Sequence, residues 1–217
     1  MGEPKLAGQR PTLPLLFRRF ISTRLNLVFL SVFSVIMIVA CGPIQTLFEP
    51  PSPQRSFKID DLLIDQSYLP SHWQAFTPHL PYGDDLVTKE SISLFFGVLA
   101  NPYNNYYAEE GIFRYSTIGI ATRKFNYWFN EHPRVIHSVS EWQFQSAIAD
   151  ETHFACDPIN GGNFDEYCEW AGRYEEFIIV FNTQMIKNEM TLHDLEKVVK
   201  AIDTLMAQHL GKTLSTH

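Results

Sequence analysis

The sequence predicts an α+β fold, an antiparallel sheet packed with helices and preceded by an N-terminal signal or anchor helix. Three observations lead there. Apolar residues recur at helical and then at strand-like spacings, in the order helix, strands, helix, strands, helix. The strand-like runs after residue 140 follow one another closely enough to pair antiparallel, which leaves helices to cover the sheet. An uncharged run, Leu25–Ala40, stands apart from this pattern near the N-terminus.

The elements follow in order. Lys58 to Gln66 reads as a short helix, with Ser56 as a cap, Asp60 and Asp61 near its positive end, and Ile59, Leu62 and Leu63 as its apolar side. Pro70 and the Ser71-His72-Trp73 step make the next segment irregular. Asp85 to Val98 contains a strand around Leu94-Phe95-Phe96. Asn101 to Tyr107, with three tyrosines, is turn chemistry. A strand is expected over Gly111–Tyr115, and Thr117 then caps a helix to about Asn130. Ile118, Ala121, Phe125, Trp128 and Phe129 share one face of that helix, and Pro133 ends it.

Trp142 and Phe144 mark a short alternating strand, and His153 to Cys156 begins another. Asp157 to Asn163, with Pro158 and Gly161-Gly162, is a loop. Tyr167 to Asn182 holds the strongest strand, Phe177-Ile178-Ile179-Val180-Phe181. Thr191-Leu192-His193-Asp194 resembles a capping box and opens the clearest helix. Its stripe is Leu192, Leu195, Val198, Val199, Ile202, Leu205 and Met206, and Gly211 supplies the stop. No internal repeat is present.

Length and charge narrow the function classes. The 217 residues suit one domain with extensions. The net charge of -7 hides a basic start, where Lys5, Arg10, Arg18, Arg19 and Arg24 face the single acid Glu3. The rest of the chain is therefore more acidic than the total. An acidic body lacks the basic surface that releases phosphate counterions, so no nucleic-acid partner is expected.

Arg18, Arg19 and Arg24 precede the apolar run, and Ala40 and Cys41 close it. A basic start, an apolar stretch and a small residue at the cut describe a secretory signal. The alternative is an uncleaved membrane helix from Leu25 to about Ile44, with the basic residues holding its start in the cytoplasm. Both place the body outside the cytoplasm. Prolines 43, 50, 51 and 53 stiffen the following stretch into an extended spacer. The chain thus divides into residues 1–40, signal peptide or membrane anchor; 41–56, lipidated Cys and Pro-rich tether; and 57–217, a single α+β domain.

The exit of the run, Ile38-Val39-Ala40-Cys41, resembles the lipobox of bacterial lipoproteins. The resemblance implies a diacylglycerol thioether on Cys41, cleavage before it, and acylation of the new amino terminus, as with palmitate. It implies a bacterial cell-envelope location, with membrane lipid as the partner through Cys41. Gly42 stands where such lipoproteins often carry an Asp for inner-membrane retention, which favours an outer location where an outer membrane exists. The pattern of leader, proline-rich tether and small mixed domain is similar to many extracytoplasmic lipoproteins. The body resembles their sensor-like or photosystem-II-P-like α/β sandwich domains, and no site residue is carried over from that likeness.

With Cys41 given to lipid, Cys156 and Cys168 remain. An even pair outside the cytoplasm favours a disulfide, with free buried thiols or a metal or redox role as the alternatives. Their spacing is not the paired short-spacer pattern of a zinc site. Asp157, Asn160, Asn163, Asp165 and Glu166 offer oxygens but lack the alternating carboxylates of a calcium loop. No histidine pairs with Glu in zinc-protease spacing, and no nucleophile elbow or phosphate loop is present. No catalytic residue, metal or cofactor is therefore assigned. Glu175-Glu176 reads as charge at the start of a strand.

Tyr103, Tyr106 and Tyr107, on a polar loop, are the candidate ligand or partner surface, beside a helix carrying Phe125, Tyr127, Trp128 and Phe129. The expected role is a non-catalytic binding or accessory module that meets an envelope protein or a small ligand. The alternatives are an envelope hydrolase without a local signature and a structural subunit of a membrane complex.

Overall fold

The computed structural model describes residues 49–79, 88–98, 106–131, 142–158, 166–186 and 189–214, with backbone only at Tyr106 and Tyr107. Cys41, Tyr103, Asn160, Asn163 and Asp165 lie outside the described residues. The fold is α+β, a six-stranded antiparallel sheet with helices packed on it. The strands are β1 (Gln74–Ala75), β2 (Thr88–Gly97), β3 (Tyr106–Tyr115), β4 (Glu151–Pro158), β5 (Glu166–Tyr174) and β6 (Phe177–Met185). Their order in the sheet is β1-β2-β3-β6-β5-β4. Two three-stranded meanders thus meet where β3 pairs with β6, from Ala108↔Thr183 to Arg114↔Phe177.

The alternation of side chains along a strand separates two cores. On one face Ile92, Leu94 and Phe96 of β2, Ile112 of β3, Trp170 and Tyr174 of β5 and Phe177, Ile179 and Phe181 of β6 pack under helix α2 (Leu192–Leu210). The helix contributes Leu195, Val198, Val199, Ile202 and Met206, all essentially buried, and these belong to the stripe expected from sequence. Thr191 and Asp194 form its capping box, and Gly211 ends it at a φ of 66°. On the other face Tyr115, Ala171, Ile178 and Val180 pack against Ala121, Phe125 and Phe129. These last belong to helix α1 (Ile118–Phe125) and a π-helical turn (Asn126–Glu131) that continues it. Thr117 caps α1 by accepting the Ile120 amide.

Four local expectations change. The helix expected over Lys58–Gln66 is two 3-10 turns, Ile59–Leu62 and Gln66–Tyr68, with Lys58 rather than Ser56 at the first N-cap. Residues 142–147 form no strand; Trp142 instead stacks on Phe154 at 4.0 Å, so the rings cover β4 without joining the ladder. β3 begins at Tyr106, so Tyr106 and Tyr107, expected in a turn, belong to a strand: ladder pairing of Tyr106 with Gly97 outweighs local turn preference. Tyr167–Asn182 is two strands, broken at Glu175, whose φ of 56° makes the tight β5–β6 turn.

The compact unit holding all described residues starts at Glu49, ahead of the Phe57 boundary read from sequence. Residues 49–55 lie along the β3–α1 corner as a strap. Ser52 donates its amide to Ser116 O and its hydroxyl to Tyr115 O. Arg55 binds Glu176 at 2.7 Å and Glu175 at 2.6 Å. Prolines 50, 51 and 53 remove three of the strap's seven amide donors, and side chains supply further bonds. Glu176, read as simple strand-start charge, is fully buried between Arg55 and Arg114. The two glutamates keep the Arg55 guanidinium more firmly charged than usual.

Candidate functional site

The α-helical spacing of α1 stops at Phe125, and the wider π turn re-aims the rings that follow. Such turns recur at functional sites. Trp128 meets Phe113 edge-on at 5.3 Å. Phe129 packs on Phe125 at 4.9 Å and stacks on His153 of β4 at 5.0 Å. The register places His153 opposite Ala171, Ala155 opposite Glu169, and Asp157 opposite Tyr167. With a period of two, these six residues share the face that the π turn only partly covers.

The result is a cleft walled by Trp128 and Phe129 and floored by His153, Asp157, Tyr167 and Glu169. It has about 20 Å³ of room, space for one water. Drug-sized ligands take about 300–1,000 Å³. The cleft therefore suits the tip of a partner's side chain better than an engulfed molecule. Burial lowers the His153 pKa, so the ring is neutral near neutral pH. It offers one donor and one acceptor nitrogen there.

A second hollow of about 460 Å³ lies at the start of α2, against Trp142, Gln143, Leu192, His193 and Glu196. It is wide and shallow. The Asp194 amide, which could hold an anion there, is already bonded by the Thr191 hydroxyl.

Cys156 and Cys168 face each other across β4 and β5 and are joined by a disulfide. Among the described residues they form, with Glu166, a group whose ligand atoms lie within 4.8 Å of one another. Both sulfurs are committed to each other, so neither offers the thiolate a metal needs. Tyr106 and Tyr107 lie on β3, while the cleft is built from the π turn, β4 and β5. The structure therefore brings together Trp128 and Phe129, which the sequence marked, with His153, Asp157, Tyr167 and Glu169, which it did not mark as a group.

No known protein family matches the chain, and no curated protein sequence matches it. Among solved structures it is similar to the extracellular domain of PknH from Mycobacterium tuberculosis. The identity is 12% and the TM-score 0.48, over 71% of this chain and 98% of that one.

The most perturbed titratable groups lie away from the cleft, in the α2-side core. Glu110 is fully buried; its Oε2 accepts the Ile64 amide at 2.9 Å and its Oε1 has no partner among the described residues. Burial pushes its pKa up to about 8. Tyr174 donates to Asp203 at 2.5 Å, and burial together with that carboxylate raises the phenol well above its usual value. Asp203 also accepts from Ser146 Oγ and the Ala147 amide. The sequence did carry a signal for both acids. Glu110 falls in phase with Ala108 and Ile112, and Asp203 lies four residues after buried Val199.

Proposed function

We propose that this chain is an extracytoplasmic lipoprotein, held at the bacterial cell envelope through Cys41, whose domain is a non-catalytic binding or accessory module. The observation that carries this reading is the disulfide between Cys156 and Cys168. It uses two of the three cysteines as an oxidising compartment allows, and it leaves Cys41, at the end of the Ile38-Val39-Ala40-Cys41 run, for lipid. Two or more acyl chains there hold a domain stably where a single chain does not. The cleft of Trp128, Phe129, His153 and Tyr167 is the surface that meets a partner protein. Its aromatic walls give contact area with few torsions to freeze, and it is too small to enclose a substrate.

Intact-mass spectrometry of the membrane-extracted chain, with and without an inhibitor of lipoprotein signal peptidase, tests the anchor. The expected result is a mature species beginning at Cys41 with added acyl mass, replaced by a longer precursor under inhibitor. An unmodified full-length mass in both samples overturns it. For the surface, Trp128→Ala and Tyr167→Ala are expected to abolish cross-linking to the envelope partner while leaving the thermal transition within a few degrees. Unchanged cross-linking overturns the cleft as the contact.

A further inference from the structure

We propose that residues 57–73 form a proton-operated cover on the α2-side core, seated while the Glu110 carboxyl is neutral and lifted when that group loses its proton. The cover is independent of both the lipid anchor and the cleft. Three observations lead to it.

The first is how the segment is attached. Its two 3-10 turns, Ile59–Leu62 and Gln66–Tyr68, are short, and the first packs on β2, β3 and α2. The amides of Asp61, Leu63, Tyr68, Leu69 and Trp73 bond carbonyls inside the segment itself. The Ile64 amide reaches out of it, to Oε2 of Glu110 on β3 at 2.9 Å. Leu62, Ile64, Leu69 and Trp73 seat the segment by burial in the core. The exposed pair of His72 with Glu189 adds little. A piece held by local bonds and a few apolar side chains belongs to the low end of local stability.

The second is the acid beneath it. Glu110 is fully buried, and its Oε1 has no partner among the described residues. In the ladders it lies opposite Leu94 of β2 and Phe181 of β6, which offer it no polar group. The ionisable groups that face it are Tyr174 of β5, whose phenol feels the Glu110 carboxylate, and beyond it Asp203 of α2, which also holds Ser146. Asp60, Asp61 and Asp65 of the cover are exposed. Arg114, four residues further along β3, is committed to Glu176 and Glu90. A negative charge on Glu110 therefore meets acids and a phenol, and the Ile64 amide is the bond that favours it.

The third is the route for water. A buried charge without a counter-ion must be hydrated. The ladders that hold β3 to β2 and to β6 use no residue of the segment. Lifting residues 57–73 thus uncovers the carboxyl without breaking strand pairing. Seated, the group keeps its proton up to about pH 8; lifted, it titrates near the ordinary 4.5. The ratio of lifted to seated chains rises about tenfold per pH unit between those values and levels off above them. Alkaline conditions then bare an apolar surface that acid conditions hide.

The test is hydrogen exchange of the full-length chain in detergent micelles, read by mass spectrometry between about pH 5.5 and about pH 7.5 and corrected for the intrinsic pH dependence of exchange. Peptides from 57–73 are expected to be less protected than those from β6 and to lose protection by about tenfold per pH unit. Protection equal to that of β6, or independent of pH, overturns the proposal. Glu110→Gln keeps an acceptor for the Ile64 amide and cannot ionise, so its protection over 57–73 is expected to stay flat across the range. A slope retained in that variant overturns the role of Glu110. Leu62→Ala loosens the seating and leaves the carboxyl in place. Its protection over 57–73 is expected to fall at least about tenfold at every pH with the slope kept, and unchanged protection overturns the cover.

Discussion

A carboxyl group sealed among aliphatic and aromatic side chains is far cheaper neutral than charged. Glu110 is in that position. Its folded pKa of about 8 lies above the ordinary 4.5, so the native state holds a proton that the unfolded chain releases between those values. Its contribution to stability is complete below the unfolded value and is lost as pH rises towards the folded one. The expected slope approaches about 1.4 kcal/mol per pH unit in that window. Glu110→Gln keeps an acceptor for the Ile64 amide and removes the slope. In urea titrations the variant should gain on the wild type between about pH 5 and about pH 8, and parallel curves would refute the assignment. His153 acts in the opposite sense, since its lowered pKa costs stability as pH falls below its usual 6.5. Gly172 shows a steric constraint on the same scale. A Cβ there would lie 2.6 Å from Trp170 Cη2 and 2.8 Å from Tyr174 Cε2, both on buried rings. Gly172→Ala should cost about 1–3 kcal/mol in denaturant unfolding, and a neutral result would mean the rings can move aside.

At the scale of elements, β4 is one of the two edge strands and the disulfide ties it to β5. Replacing both cysteines with alanine should cost about 2–3 kcal/mol, and hydrogen exchange should accelerate first in β4. Uniform acceleration through β2, β3 and β6 would show that the bridge supports the whole sheet. The elements also show what a sequence can and cannot reveal. Both caps, Thr117 and Thr191, and the α2 stripe were legible because they depend on neighbours in the chain. The strand expected at Trp142–Phe144 does not form, because alternation there reflects rings laid over β4 and not ladder pairing. The break at Glu175 was hidden because a non-glycine residue takes the left-handed turn, held by its amide's bond to Asp150. Of the cleft's lining, the helical rings Trp128 and Phe129 were visible. The rest depends on the β4–β5 register, which brings His153, Asp157 and Glu169 together only once the strands have paired.

At the scale of the whole molecule, the strap belongs to the domain energetically. A chain beginning at Phe57 loses Arg55 and leaves buried Glu176 with Arg114 alone, at 3.5 Å. Removing one partner of a buried pair costs about 3 kcal/mol. A chain of this size should then melt about 6–12 °C lower than one beginning at Glu49, by calorimetry. Equal midpoints would make the strap a passive spacer. The same strap sets an order in time. Arg55 meets Glu176 across 121 positions, and β3 meets its neighbour β6 only when residues 177–185 exist. As the chain emerges from its N-terminus, the β2–β3 hairpin is complete long before the strand that covers its edge. The strap is the first part of the domain to be made and among the last secured. During that interval the open edge of β3 needs a chaperone's cover or fast delivery of the remaining chain.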